Sequence, residues 1–519
     1  MSALNLNSIS TRSSILEYFY RTLFILTVTF GCIIFWLAPH LPLADLPQLS
    51  GQVAVLRDLL KGDSTWEYLF RINYFTPYLV PYALWLPLTF IFSVVVSGKI
   101  LLTLGYLFYV FTCIYLRKSF KADSRLDWLF VPSYFGFAFK YGFVTTLIAV
   151  PFGMWFIILA KLYTDVPTIG KGLLLTTVGY FLFFCHGFVF IFSVGIGFCF
   201  LVLRYGVSKR LILATTPYVG LFVLCLIFYI FKSTDLARTI NHDYLQWGWY
   251  RGRLEHFFLF SLGTEEDRIF LPITLLFFAF PFLLGSRIRV KFGDHLIPFG
   301  ILLISWLSWP SWGNVLGMDF AFIYQRFAIF IFPFYILLFQ RKSDETFHTT
   351  NIASVREGIA LSSAVLACWI FFGIQSTRMI NFAHESSDFD KVVSHARPKQ
   401  LALFLVFDGK SPASNNNIVY RTFPAWYQAE NGGVVEPNFA GFLNQVILFR
   451  SNTNTEIPKF GTKSHTFRWK DNNADRFQYI FVRKKDSISQ QIFDGASCEI
   501  SSVSSVGTWT LFRGCAAFR

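Results

Sequence analysis

Asp45 is the acid in this chain whose placement points to chemistry. It stands between Pro42 and Pro47 in HLPLADLPQLSGQVAVLRDLL (40–60), directly after the first long apolar segment. A carboxylate there has two uses. It can cap the amphipathic run that starts at Gln48, with Pro47 in the first turn. It can also serve as a general base. His40 and Gln48 flank it as candidate substrate ligands. Candidate cations are spread along the chain. Arg326, with Tyr324 beside it, opens an apolar run in FIYQRFAIF, and Arg251 and Arg253 lie in WGWYRGRLEH. Lys140 and His186 sit in very short turns between apolar segments, where an ionisable group is costly without a partner or water. Each also has a plain structural use. Arg326 can anchor a helix end, the Arg251/Arg253 loop can lie on headgroups, and His186 can be an ordinary interfacial residue.

The elements that must position these residues are membrane helices. Of 519 residues 54% are hydrophobic and only 15% charged, against about 25% charged in a typical soluble domain. The apolar residues fall in long runs, which predicts a polytopic α-helical membrane protein. Aromatic residues make up 19%, including 64 Phe, which fits lipid-facing and helix-packing surfaces. The net charge of +14 is then topology rather than nucleic-acid binding, because Lys and Arg collect in cytoplasmic loops. No cleavable leader is apparent, and the first segment, Thr22–Pro39, reads as a retained helix after a cytoplasmic start.

Loop charge sets the parity. RKSFKADSR, KLYTDVPTIGK, RYGVSKR, SRIRVK and RKSDE all land in the cytoplasm if Tyr78–Val96 does not cross, and all land outside if it does. That run therefore reads as an interfacial or re-entrant helix inside an external loop, 40–98. About 11 spans follow. They are Thr22–Pro39, Ile100–Leu116, Leu126–Phe139, Gly142–Ala160, Gly172–Phe184, Gly187–Leu203, Leu211–Phe231, Ile269–Leu284, Leu296–Ser308, Phe327–Phe339 and Ser354–Ile374. The exterior receives every candidate above. From about Arg378 the chain turns polar, with strand-like runs at 401–407 and 476–483. The expected division is a membrane domain, 1–377, and an external α/β or α+β domain, 378–519. In CEISSVSSVGTWTLFRGC a turn at Val506-Gly507 brings Cys498 opposite Cys515. The two are expected to form a disulfide in an oxidising compartment, the alternative being free thiols. The other six cysteines are scattered in apolar segments as small hydrophobes.

The sum of these features resembles the GT-C superfamily of integral-membrane glycosyltransferases. The resemblance rests on APHLPLADLPQ after the first span, FTPYLVPYALWLPL in the external loop, the basic turn in CIYLRKSFKADSR, many short spans and a terminal soluble domain. It implies transfer of a sugar from a polyprenyl-phosphate carrier to a glycan, lipid or protein acceptor on the outer face of a bacterial inner membrane. Asp45 would be the base, and Arg326 with Arg251 and Arg253 would hold the phosphate, with His40, Gln48, Lys140, His186 and Tyr324 lining the site. A divalent cation is the one cofactor such chemistry would admit. Many such enzymes carry two acids after the first span, whereas Asp45 stands between Ala44 and Leu46. The competing readings are a polymerase or ligase of O-antigen type, a non-catalytic subunit and a lipid-linked glycan transporter.

Overall fold

In the computed structural model, the residues described are 3–236, 244–247, 252–291, 293–315, 318–341, 351–450, 464–486 and 488–518. Of 3–17, 64, 232–236, 315, 318–319 and 351–354 only the backbone is described. Four helices are long and apolar enough to cross a membrane: Val94–Ser119, Val144–Asp165, Gly187–Tyr205 and the stretch Val355–Val393 of one longer helix. Seven shorter apolar helical stretches accompany them among the described residues. Their outward faces carry large apolar side chains, such as Ile169, Leu173, Phe222 and Leu226, which suits lipid rather than water.

Several boundaries differ from expectation. The expected Leu126–Phe139 span is 3₁₀ turns at Ser124–Leu129 and Ser133–Phe135 followed by the four-residue helix Phe137–Lys140. Pro132 and Gly136 interrupt any regular helix there, the latter with extended backbone. The expected Tyr78–Val96 helix is Leu79–Thr89, and its 11 residues reach about 16 Å, half a bilayer core. The break falls at 90–93, not at Ser97-Gly98-Lys99. Ser93 caps the next helix by accepting from the Val96 N–H, so Ser97, Gly98 and Lys99 lie inside Val94–Ser119. The expected Phe327–Phe339 span is short 3₁₀ and α pieces over 325–338. The compositional change at Arg378 lies within one continuous helix, Asn351–Val393, which carries the chain from the apolar region into the C-terminal region.

The C-terminal region holds a five-stranded mixed sheet. Its order is Ser501–Val506, Trp509–Arg513, Tyr479–Arg483, Leu401–Val406 and Val434–Glu436, with the last three parallel. One face packs on the end of the long helix through Phe389, whose ring meets Trp509 at 4.9 Å and Phe481 at 5.8 Å. The other face buries Leu403, Leu405, Ile480 and Val482 beneath Phe467, Trp469 and Phe493. The Cys498–Cys515 disulfide is present, with a Cα–Cα distance of 5.5 Å. The hairpin reaches it by another register. The turn is Gly507-Thr508, Val506 pairs with Trp509, and a bulge between Ser502 and Ser504 shifts the ladder. Gly507, at φ +57°, is the residue that suits the turn, so the turn sits one residue later than expected.

This C-terminal region packs on the 40–98 loop. Phe70–Ile72 pairs antiparallel with Ile447–Phe449. The Gln48 amide donates to Pro437 O (2.8 Å) and accepts from Phe439 N (3.1 Å), while Gln52 accepts from Ile447 N (2.9 Å).

Candidate active site

Asp45 stands at the N-cap position of the Leu46–Leu60 helix, yet its side chain makes no capping hydrogen bond. Pro47 occupies the first turn and has no N–H to offer. The carboxylate is thus left for other work, and the backbone holds it in place. Asp45 N donates to Tyr141 O (3.0 Å), Ala44 N to Lys140 O (3.4 Å), and Asp45 O accepts from Leu49 N (3.1 Å). From the C-terminal region, Asn416 donates to Pro42 O (3.4 Å) and Lys140 O (3.2 Å), and the Thr422 hydroxyl donates to Ala44 O.

Gly142 makes this close approach possible. Its φ is +74°, and a Cβ there would sit 2.9 Å from Asp45 N and 3.0 Å from Leu46 N. Gly142→Ala is expected to push the Asp45 segment away and to destabilise the protein by about 2 kcal/mol, through both the backbone conformation and the backbone clash. Thermal unfolding of the purified protein checks this; an unchanged melting temperature counts against the tight packing of these two segments.

The Asp45 carboxyl is deep in the fold but keeps some access to solvent. Burial pushes its pKa up to about 7, and the Arg326 and Arg421 guanidiniums pull in the opposite direction. Tyr78 and Tyr82 also lie within its electrostatic reach. Arg326 is held from two sides. Its Nε donates to Ala321 O (3.1 Å) and its Nη1 to Thr146 Oγ1 (3.3 Å). Its guanidinium lies over the Phe143 ring, 3.7 Å from the centroid. Its Nη2 has no protein hydrogen bond among the described residues, and both Tyr78 and Asp45 act on its charge. His186 orients Thr146. Its Nδ1 accepts from Val189 N (3.4 Å), which leaves the proton on Nε2 to donate to Thr146 Oγ1 (3.0 Å). Tyr78 is held between the Asn444 side-chain amide (3.3 Å) and the His186 ring (5.3 Å between centroids). The result is a carboxyl within electrostatic reach of the Arg326 guanidinium, of two phenols and of a second, exposed arginine, Arg421.

The other predicted ligands have protein partners. Lys140 is buried against Asp267 (2.6 Å), which also pairs with Arg378 (2.8 Å). Arg253 donates to the carbonyls of Trp306, Leu307, Trp309 and Trp247, closing the end of the Ile297–Ser308 helix. Its guanidinium stacks on Tyr324, whose hydroxyl meets His256 Nδ1 (3.3 Å). His40 contacts Glu430 (2.9 Å) and Asp390 (3.6 Å), and Gln48 is spent on the C-terminal region. Arg251 lies outside the described residues.

Sequence reading missed Tyr78 and Tyr82 as individuals, although it singled out the aromatic, proline-rich loop that carries them. It missed Thr146 altogether, since a threonine in an apolar helix carries no signal. A single carboxylate among guanidiniums and phenols suits an anion rather than a divalent cation. Among the described residues no group of three or more His, Cys, Asp or Glu converges.

No protein-family model matches the chain, and no curated protein sequence matches it. Among solved structures the chain is similar to the crystal structure of ArnT from Cupriavidus metallidurans bound to undecaprenyl phosphate. The TM-score is 0.52 at 10% identity, over 95% of this chain and 97% of that one. The fold is of the GT-C type.

Proposed function

We propose that this chain is a membrane glycosyltransferase that takes its sugar from a polyprenyl-phosphate carrier on the Asp45 side of the membrane. The observation that carries this reading is the placement of Asp45. It occupies a cap position without capping, and it lies within electrostatic reach of Arg326, whose Nη2 has no protein hydrogen bond among the described residues. The similar solved structure holds undecaprenyl phosphate, which supports the donor class.

In the proposed reaction the acceptor hydroxyl attacks the anomeric carbon. The new C–O bond forms as the bond to the carrier phosphate oxygen breaks. Asp45 takes the hydroxyl proton, and the leaving phosphate, which gains a charge, meets Arg326 and the Tyr78 hydroxyl. Attack from the face opposite the phosphate inverts the anomeric carbon. The acceptor in this reading is a glycan, lipid or protein presented on that outer face, and Arg421, exposed and within electrostatic reach of Asp45, is available to it.

The test is transfer by the full-length protein in proteoliposomes given radiolabelled polyprenyl-phosphate sugars and cell-envelope acceptors. Transfer is expected, and its rate rises with pH through about 7, because the base works only when ionised. A flat profile between pH 5.5 and 8.5 would remove Asp45 as the base, those limits being set roughly 1.5 units either side of its pKa. Failure to bind any polyprenyl-phosphate sugar would overturn the donor class.

A further inference from the structure

Far from Asp45 the molecule carries a cluster of basic side chains around one cavity. The Val144–Asp165 helix begins beside Gly142 and passes Lys161 some 17 residues on, a rise of about 25 Å. There the end of the Val94–Ser119 helix and the 288–295 loop enclose an open cavity of about 590 Å³. Lys121, Lys161, Arg289 and Lys291 converge on it, with Asp294 as its one acid.

Asp294 is ion-paired rather than free: Lys161 reaches it at 3.3 Å while sharing its charge with Asp165 at 3.0 Å, and Asp294 also acts on Arg289. Lys121 and Lys291 are exposed and have no ion-pair partner among the described residues. Arg289 is anchored through one nitrogen, Nη1, to Phe120 O (2.6 Å), leaving the rest of its fork unpaired among the described residues. That bond has a further effect. Carbonyls at a helix C-terminus would repel an anion. Here Leu116 O, Arg117 O, Lys118 O and Phe120 O each accept a hydrogen bond, from Phe120 N, Ala122 N, Lys121 N and Arg289 respectively. The loop is itself fixed, because Arg287–Ile288 pairs with Phe339–Gln340 and His295 meets Arg289 O at 3.1 Å. Membrane topology asks for basic residues on this face. It does not ask them to surround one cavity with its acid paired and the nearby helix end satisfied.

We propose that this cavity binds a phosphate group, carried by an anionic phospholipid headgroup or by a soluble phosphomonoester. The site is independent of the transfer reaction assigned above.

The test uses the full-length protein from mixed phosphatidylcholine–phosphatidylglycerol nanodiscs. Native mass spectrometry reads retained lipid, and thermal unfolding in detergent reads the response to glycerol 3-phosphate. Phosphatidylglycerol is expected to be retained in preference to phosphatidylcholine. Replacing both free lysines (Lys121→Gln with Lys291→Gln) is expected to weaken retention about tenfold, and the paired Lys→Arg changes to preserve it. Stabilisation by glycerol 3-phosphate in the wild type but not in the Gln pair, without lipid retention, keeps the site and assigns it to a soluble ligand. Equal lipid retention by wild type and the Gln pair, with no response to glycerol 3-phosphate, overturns the proposal. Equal loss in the Gln and Arg pairs makes the effect structural and overturns it too.

Discussion

Asp45→Asn lowers sugar transfer by about a thousandfold while leaving the fold intact. The carboxamide has the size of the carboxylate and keeps the backbone bonds to Tyr141 and Leu49, but it cannot take the acceptor proton. Stability moves the other way. An aspartate in an unfolded chain titrates near pH 3.9, while Asp45 in the fold titrates near 7 because burial disfavours its charge. The folded state therefore holds the proton more tightly. The stability this brings is fully present below about pH 4 and is lost as pH rises through about 7. At pH 8 the wild type carries an ionised, partly buried group that the variant lacks. Asp45→Asn is then expected to be the more stable protein, by about 2 kcal/mol after allowing for the residual solvent access of the carboxyl. Initial transfer rates and melting temperatures at pH 6 and 8 check both halves. Equal transfer by the two proteins at equal folding would sink the role of Asp45.

Arg326→Ala is the second large effect, a loss of about a hundredfold or more in transfer. Donor affinity weakens with it, because the guanidinium meets the phosphate before as well as after bond cleavage. The geometry distinguishes charge from shape. Arg326 uses Nε and Nη1 on the protein and lies over Phe143, so Nη2 is presented in one orientation. Arg326→Lys keeps the charge but loses the fork and the stacking, and should recover only part of the rate. Thr146→Val removes one of the two holds and should cost less than either substitution. Binding of polyprenyl phosphate and single-turnover transfer separate the affinity loss from the rate loss. An Arg326→Ala protein that transfers at the wild-type rate would remove the arginine from the site.

Much of this was legible in the chain. Long apolar runs and sparse charge fix a helical membrane protein, because helices alone satisfy their own backbone in lipid without closing into a barrel. The position of Asp45 after the first apolar helix marked it, as FIYQRFAIF marked Arg326. Loop charge and proline content led to the expectation of an interfacial 78–96 run, and the helix found there, Leu79–Thr89, has 11 residues, short for a bilayer core. The Cys498–Cys515 pairing was reached through the wrong turn, since a two-residue hairpin and a bulge can compensate each other in register.

Tertiary structure decided which cations are free. In sequence, Lys140, Arg253 and Arg326 are alike: each is a base near an apolar run with no acid beside it that singles it out. In the fold Lys140 finds Asp267, which is 127 residues away, and Arg253 finds the carbonyls that end the Ile297–Ser308 helix. Arg326 keeps Nη2 without a protein hydrogen bond among the described residues, and Asp45 acts on its charge. No spacing rule gives this, because a buried charge is settled by whichever distant polar group the packing delivers to it. The same holds for Asp45. Local rules allow a cap and a base equally. Only the approach of Gly142, Asn416 and Thr422 to the backbone around Asp45, with Pro47 in the first turn, shows the carboxylate uncapped and held for another use.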